Sequence, residues 1–332
     1  MLNIVRQRSV FSSSSEPLPG RWISCPDSLL LGPSDIDSQR HTTKRIAYWQ
    51  AVGDALGLDW PIPGWRDEGL NCVGNVVGQG DLLKALERLV VPDIGLRIWC
   101  ADCCQDRIFV SWVLHALSQA NFALPTTQFC KIPRYGIQEV DIDQFGSQAA
   151  TVSAVDIAYG SDLWTAFAKG QPDRLHGLCL ADCSSANRLD LSGITKEYSR
   201  LFPRWSDGLL QVSDFDAAIL NCLSTESWRT PRDLVVELID EIPRLGDLEL
   251  AYRIDQWAAP LDGHGAVVKK ELPDGKSSST RVAYRLTERG QQILQEGLND
   301  LSDVPELLCG GNTLYRGREW WVFTGKGFIK HH

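Results

Sequence analysis

Apolar and polar positions fall into short blocks along the first half of the chain, and the period of the blocks changes from one to the next. Leu2–Val5 is a short apolar run that reads as a strand, and Arg21–Cys25 reads as a second. The polar stretch Ser12–Gly20 between them is a loop, and PDSLLLGP (Pro26–Pro33) closes the second strand with a Gly-Pro turn. Ile46, Ala47, Trp49, Val52 and Leu56 form a helical stripe, whereas Gly57–Gly80, rich in Gly, Pro and Trp, is irregular. Leu82, Leu83, Ala85, Leu86 and Leu89 predict an amphipathic helix capped by Asp81 and stopped by Pro92. A buried strand at Leu96 and Ile98, a helix over Ile108–Leu117 and a strand within Phe122–Ile132 follow. Strands alternating with helices predict an α/β domain over residues 1–150, a Rossmann-like parallel sheet with helices on both faces.

The pattern changes near Ser153. Ile157–Ala168, Arg174–Leu180 and Asp190–Trp205 read as helical with no strand between, so residues 151–211 are expected to form a helical bridge. Residues 212–300 are the most legible region. Asp214–Leu223 is helical, Thr230-Pro231 caps and starts a second helix, and Gly246-Asp247 opens a third that runs through Trp257. Ala266–Val268 and Val282–Leu286 are two strands joined by the polar, glycine-bearing Pro273–Ser279, and Thr287 begins a last helix. Three helices, a two-stranded wing and a helix give the winged-helix order, an α+β domain. Residues 301–332 are expected to end the chain in a hairpin, Gly310–Phe323, bearing Tyr315, Trp320 and Trp321.

Composition narrows the function classes. With 332 residues the chain can bury a full core. No long uninterrupted apolar stretch spans a membrane, and the N-terminus lacks the apolar segment of a secretory signal, so a cytoplasmic protein with no membrane partner is expected. The 10 cysteines are then expected as thiols, with most of Cys25, Cys72, Cys130, Cys222 and Cys309 filling the core or its margin. A net charge of −9 offers no global attraction to nucleic acid.

Candidate chemistry gathers at LRIWCADCCQDRIFVSWVLHAL, Leu96–Leu117, a strand, a Cys- and Asp-rich turn and an apolar helix. Ligands of open α/β sheets bind outside the carboxyl ends of the strands, which makes this turn the first place to look. Asp27, Asp102 and Asp106 are candidate metal or polar-ligand residues there; alternatively Asp27 and Asp102 cap the turns and helices that follow them. Cys100-Ala101-Asp102-Cys103 is a CxxC between a strand and a helix, and Cys100 is a candidate nucleophile because a helix N-terminus lowers a thiol pKa. Incidental cysteines at a strand end are the competing account. Cys100, Cys103, Cys179 and Cys183 form a weak zinc candidate, since the second pair is spaced Cys-x-x-x-Cys and lies in another region. Val73–Gly80 is glycine-rich but lacks the lysine of a phosphate loop. His115 sits among apolar residues of a helix and reads as packed. The sequence names no cofactor.

In the C-terminal domain Lys269, Lys270, Lys276 and Arg281 are candidate nucleic-acid contacts on the wing. The helix that would read bases, Asp247–Trp257, carries Asp247, Glu249 and Asp255 against Arg253 alone. Phosphate repels such a helix, so charge favours docking of a protein or peptide, or structural packing, over DNA.

Three stretches carry a family resemblance: PDSLLLGPS with the downstream Arg45, IWCADCCQDRIFVSWVLHAL, and the C-terminal set GDLELAYRIDQWA, YRLTERGQQIL and CGGNTLYRGREWW. Together they resemble the bacterial family that carries the domain of unknown function 1835. The resemblance implies a Rossmann-like N-terminal domain and a winged-helix-like C-terminal region, with no assigned activity. It retains Asp27 and Asp106, and marks Asp27, Arg45, Trp99 and Asp106 as ligand-site positions. Where relatives open with a His and a Gly-Asp, this chain has Leu2–Gln7. Where relatives often carry Glu-His-Asp after the central tryptophan and the residue that follows it, this chain has Ala101-Asp102-Cys103. The expectation is a non-catalytic protein that binds a small ligand or a protein or peptide partner. A metal- or thiol-dependent enzyme at the sheet edge and a DNA-binding regulator are the alternatives.

Overall fold

The architecture comes from a computed structural model that describes residues 1–6, 21–25, 27–57, 66–68, 75–76, 82–89, 94–121, 123–133, 142–182, 189–206, 208–238, 247–258, 265–272, 282–298, 304–315 and 320–331. The chain divides into two compact units. One comprises Met1–Leu30, Ser34–Ile46 and Ile62–Thr195, the other Leu31–Pro33, Ala47–Pro61 and Lys196–His332. The segment expected as a bridge, 151–211, is therefore shared between them, most of it falling in the first.

The first unit is built on a seven-stranded sheet. Strands β1 (Leu2–Val5), β2 (Arg21–Ser24), β6 (Leu96–Ala101) and β7 (Thr127–Ile132) are parallel, in the order β2-β1-β6-β7. Short antiparallel strands extend both edges: β4 (Arg66–Glu68) and β5 (Asn75–Val76) beyond β2, and β8 (Ala150–Thr151) beyond β7. Part of the Gly57–Gly80 stretch, read as irregular, thus supplies β4 and β5. Helices flank the sheet: α2 (Leu82–Leu89) and α3 (Cys104–Gln119), which the alternating pattern predicts, then α4 (Ile142–Ser147), and α5 (Ala154–Ala168) and α6 (Pro172–Asp182), which were expected in the bridge. Helix α1 (Ser38–Leu56) contributes Ser38–Ile46 to this unit and its remaining residues to the other. A capping box starts α5: the Ser153 hydroxyl accepts from the Asp156 N–H, and the Asp156 carboxylate accepts from Ser153.

Helix α3 is buried almost all round, and α5 packs along it. The close approach depends on Gly160, because a Cβ there would lie 2.7 Å from Leu114 Cβ. Below the sheet's carboxyl edge Val5, Trp22, Trp99, Ala101, Cys103, Cys130 and Ile132 form one core cluster. Trp22 and Trp99 stack in it at 6.0 Å, and Trp99 Nε1 donates to Asn3 Oδ1 at 3.0 Å. A buried indole N–H usually finds such a partner, and for Trp99 Asn3 supplies it from the neighbouring strand.

In the second unit α7 (Ile194–Tyr198), which straddles the division, leads into a 3₁₀ turn, Ser199–Leu201. There follow β9 (Arg204–Ser206), β10 (Leu209–Gln211), α8 (Asp214–Cys222), α9 (Pro231–Leu238), α10 (Asp247–Ala258), β11 (Val267–Glu271), β12 (Val282–Leu286) and α11 (Glu288–Glu296). β11 and β12 form an antiparallel pair, and an isolated bridge joins Arg229, between α8 and α9, to Tyr284 of β12. Thr230 and Asp233 make a capping box at α9, and Thr287 caps α11. At the C-terminal end the expected single hairpin is two. β13 (Leu307–Gly310) pairs with β14 (Asn312–Leu314), and β15 (Trp320–Phe323) pairs with β16 (Phe328–His331). Gly32-Pro33, read as a turn, is instead a two-residue strand, β3, parallel to β13. No helix among the described residues is long and apolar enough to cross a membrane.

Candidate functional site

The order β2-β1-β6-β7 means that successive parallel strands leave β1 on opposite sides. The carboxyl ends of β1 and β6 therefore flank the switch point at which open sheets bind ligands. Two charged residues meet there. Arg6 directly follows β1, and Asp106 lies in the first turn of α3 after β6. Arg6 Nε donates to Asp106 Oδ1 at 2.6 Å, with the side chains 6% and 0% exposed. Asp106 Oδ2 accepts the Ala101 N–H at 2.9 Å, so the carboxylate also ties the end of β6 to the start of α3. Both oxygens are committed to protein donors, and a helix N-terminus adds to the stabilisation of the charge.

Asp27 is held in the same manner from α1. Arg45 Nε donates to Asp27 Oδ2 at 2.8 Å, a second guanidinium nitrogen donates to Oδ1, and the Leu29 N–H donates to Oδ1 at 3.2 Å. Burial alone would push this carboxyl up; the Arg45 charge and these hydrogen bonds outweigh it and hold the pKa below the ordinary value. Leu29 has φ +58°, a backbone region that a branched side chain adopts at a cost of about 1–3 kcal/mol. The Asx-type turn around Asp27 holds it there. Beside this pair the Cys25 thiol is pushed up to about 12, by burial first and then by the Asp27 charge.

Asp102 is the exposed acid, 49% accessible, and its partner is Arg107. Arg107 Nε also donates to the Asp190 carbonyl, and Lys131 pairs with the Asp190 carboxylate. Each of Asp27, Asp102 and Asp106 thus has an arginine of its own. Among the described residues no group of three His, Cys, Asp or Glu is placed to hold a metal.

The thiols do not form a reactive pair either. Cys100 and Cys103 are buried, and burial, followed by the Asp106 charge, raises the Cys100 pKa well above the ordinary thiol value. That reverses the lowered pKa expected for Cys100 at a helix N-terminus, because burial and the Asp106 charge outweigh the nearby Arg107 and Lys131. Cys179 is buried and Cys183 lies outside the described residues, as does most of Val73–Gly80. Trp99, expected as a ligand contact, is wholly inside the core.

In the second unit the acid at the centre is Asp216, in the first turn of α8. It accepts from Arg253 Nε at 2.7 Å, from Trp257 Nε1 at 2.9 Å and from Ser213 Oγ at 3.0 Å. Arg253 extends the link to the Pro305 and Glu306 carbonyls. The only cation of α10 therefore points inward, and Glu249 is buried as well. Of the wing lysines, Lys269 pairs with Asp255 at 2.8 Å and Lys270 lies over the Trp228 ring. Lys276 and Arg281 lie outside the described residues.

Neither a protein-family model nor a curated protein matches this chain.

Three groups escaped the sequence reading. Arg6 was signalled only by its place, a cation at the carboxyl end of the first strand. Asp216 was hidden because it reads equally as an ordinary acid in a helix's first turn. His41 is buried between indoles, 4.6 Å from Trp112 and 5.2 Å from Trp164, with Nδ1 accepting the Asp35 N–H at 3.3 Å. Burial, followed by the Arg45 charge, lowers its pKa to about 3, so it is a neutral core residue.

Proposed function

We propose that this chain is a non-catalytic binding protein of the bacterial family carrying the domain of unknown function 1835. It combines a Rossmann-like unit with a winged-helix-like module that docks a protein or peptide. The observation that carries this reading is the commitment of every candidate acid at the sheet's carboxyl edge to an arginine, two of the three pairs being buried. An acid so held neither abstracts a proton at neutral pH nor presents free oxygens to a metal. The order of α8–α11 around the β11–β12 hairpin, with the isolated Arg229–Tyr284 bridge tying the segment before α9 to β12, supports the winged-helix-like assignment. Docking is favoured over reading of DNA because the described side chains of α10 are buried or half-buried. A helix with its cation turned inward and no exposed basic side chain is a poor reader of base edges. The buried thiols suit a reducing cytoplasm.

The enzymatic alternative is tested by treating the native protein with iodoacetamide near neutral pH, with peptide mass spectrometry, and by elemental analysis. The proposal expects Cys100 to label only after unfolding and no stoichiometric metal. Rapid labelling of Cys100 in the folded protein, or one bound metal per chain, would overturn it.

A further inference from the structure

The pairing register of the hairpin sorts its side chains. Val268 stands opposite Arg285 and Lys270 opposite Ala283, so these four share one face, while Val267, Lys269, Tyr284 and Leu286 share the other. The second face packs toward α10, where Lys269 and Tyr284 both reach Asp255. The first face is the outer one. Across it lies Trp228, 39% exposed, with the Arg285 guanidinium 5.0 Å and the Lys270 ammonium 5.9 Å from its ring centroid.

Two properties set this face apart. Lys270 and Arg285 have no carboxylate partner among the described residues, in contrast to Lys269, Arg107 or Arg253. The Arg285 Nε is buried without a hydrogen-bond partner, which leaves a charged donor desolvated and unsatisfied. The described strand residues of this face include no acid. Alongside it opens a cavity of about 530 Å³, lined by Thr225, Gly265, Val268, Thr287 and Arg289, with Glu288 the one acid among the described residues at its rim. The surface thus offers an aromatic ring, an exposed valine and two uncompensated cations around a concavity sized for a few side chains.

We infer that the Trp228–Lys270–Arg285 face is the docking surface of this module, and that it takes an acidic peptide segment carrying apolar side chains. The inference rests on the docking reading above and names its site and partner. A peptide carboxylate would take the Arg285 fork, planar and oriented by its stack on Trp228. The apolar side chains would cover Val268 and the exposed part of the indole. A nucleic acid fits less well. Two or three phosphate contacts give little of the counterion release on which such binding depends, and the chain's net charge of −9 opposes it.

The test uses the full chain and fluorescence anisotropy with three labelled probes: a short peptide in which Glu alternates with Leu and Phe, its Lys-for-Glu counterpart, and a random-sequence DNA duplex. The acidic peptide is expected to bind, more weakly at higher salt, and the basic peptide not to bind. Arg285→Gln and Trp228→Ala are each expected to weaken binding by roughly tenfold or more, one charge-assisted contact or one aromatic anchor being worth at least that. Lys270→Glu, a surface change that keeps the stem over the ring, is expected to weaken it as well, and Lys330→Ala to leave it unchanged. Acidic-peptide binding that survives all three face substitutions would overturn this surface while leaving the docking reading in place. Binding of the duplex without the peptide would overturn both. Failure of every probe to bind would overturn the inference alone.

Discussion

A neutral histidine in a protein core behaves as a pH sensor whether or not function asks for one. In the unfolded chain His41 titrates near 6.5; in the folded chain burial and the Arg45 charge depress that value to about 3. The sign follows from proton counts. Below pH 6.5 the unfolded state takes up a proton that the folded state refuses, so stability is full above 6.5 and is lost as pH falls toward 3. Over that window the residue alone costs about 1.4 kcal/mol per pH unit. His41→Leu removes the titration. Its stability at neutral pH will be lower, since the Asp35 N–H loses its acceptor, but its slope between pH 6 and pH 4 is expected to be shallower by that amount. Urea unfolding of both proteins across the range measures it; parallel slopes would show that His41 is not the group responsible. The Asp27–Arg45 pair acts in a different window, because a lowered carboxyl pKa contributes stability above the ordinary carboxylate range and loses it only as pH falls through the lowered folded value.

At the scale of elements the tightest constraint is the α3–α5 contact. Gly160 lets α5 approach so closely that its missing side chain would overlap Leu114. Gly160→Val is expected to destabilise by about 1–3 kcal/mol through overpacking, offsetting any gain in helix propensity. Adding Leu114→Ala should recover part of the loss, and a double-mutant cycle on denaturant midpoints measures the coupling. Additive effects would place the strain elsewhere. This contact also shows what the chain's pattern reveals and what it conceals. Long stripes such as Leu82–Leu89 and the capped start at Thr230-Pro231 are legible because period and cap chemistry are local. The strands β4 and β5 are too short and too polar to show a period, and β3 exists only because Gly32 meets Cys309, far along the chain. The candidate site follows the same rule. Asp27, Arg45 and Asp106 were legible as positions, but the fact that each acid is neutralised by an arginine depends on pairings 18 and 100 residues apart. The reactive look of Cys100 came from its place before a helix, and burial, which no local pattern records, reverses it.

On the scale of the whole molecule, each unit has a buried arginine–aspartate pair that joins elements remote in sequence. Arg6–Asp106 ties β1 and β6 to α3, and Arg253–Asp216 ties α10 to α8, with Trp257 and Tyr315 sharing the carboxylate. Neither pair is a cheap way to gain stability, since desolvation offsets much of the attraction. Their effect is asymmetric: the intact pair is near neutral, and half a pair is not. Asp106→Asn leaves the Arg6 guanidinium buried without its counter-charge, and Asp216→Asn does the same to Arg253. Each is expected to cost about 3–5 kcal/mol. The distribution of the loss is the sharper measurement. If the two units are separate cooperative structures, native-state hydrogen exchange of Asp106→Asn will lose protection in β1, β6 and α3 and keep it in α8, α10 and β12. Asp216→Asn will show the reverse. A loss spread evenly over the chain in either variant would mean that the units unfold as one. Replacing both members of a pair, as in Arg6→Leu with Asp106→Leu, should cost less than the single change, because no unpaired charge remains in the core. That result would separate the energetic role of the switch-point pair from any role in binding: a ligand that used Arg6 would lose affinity in the double variant even where stability is recovered.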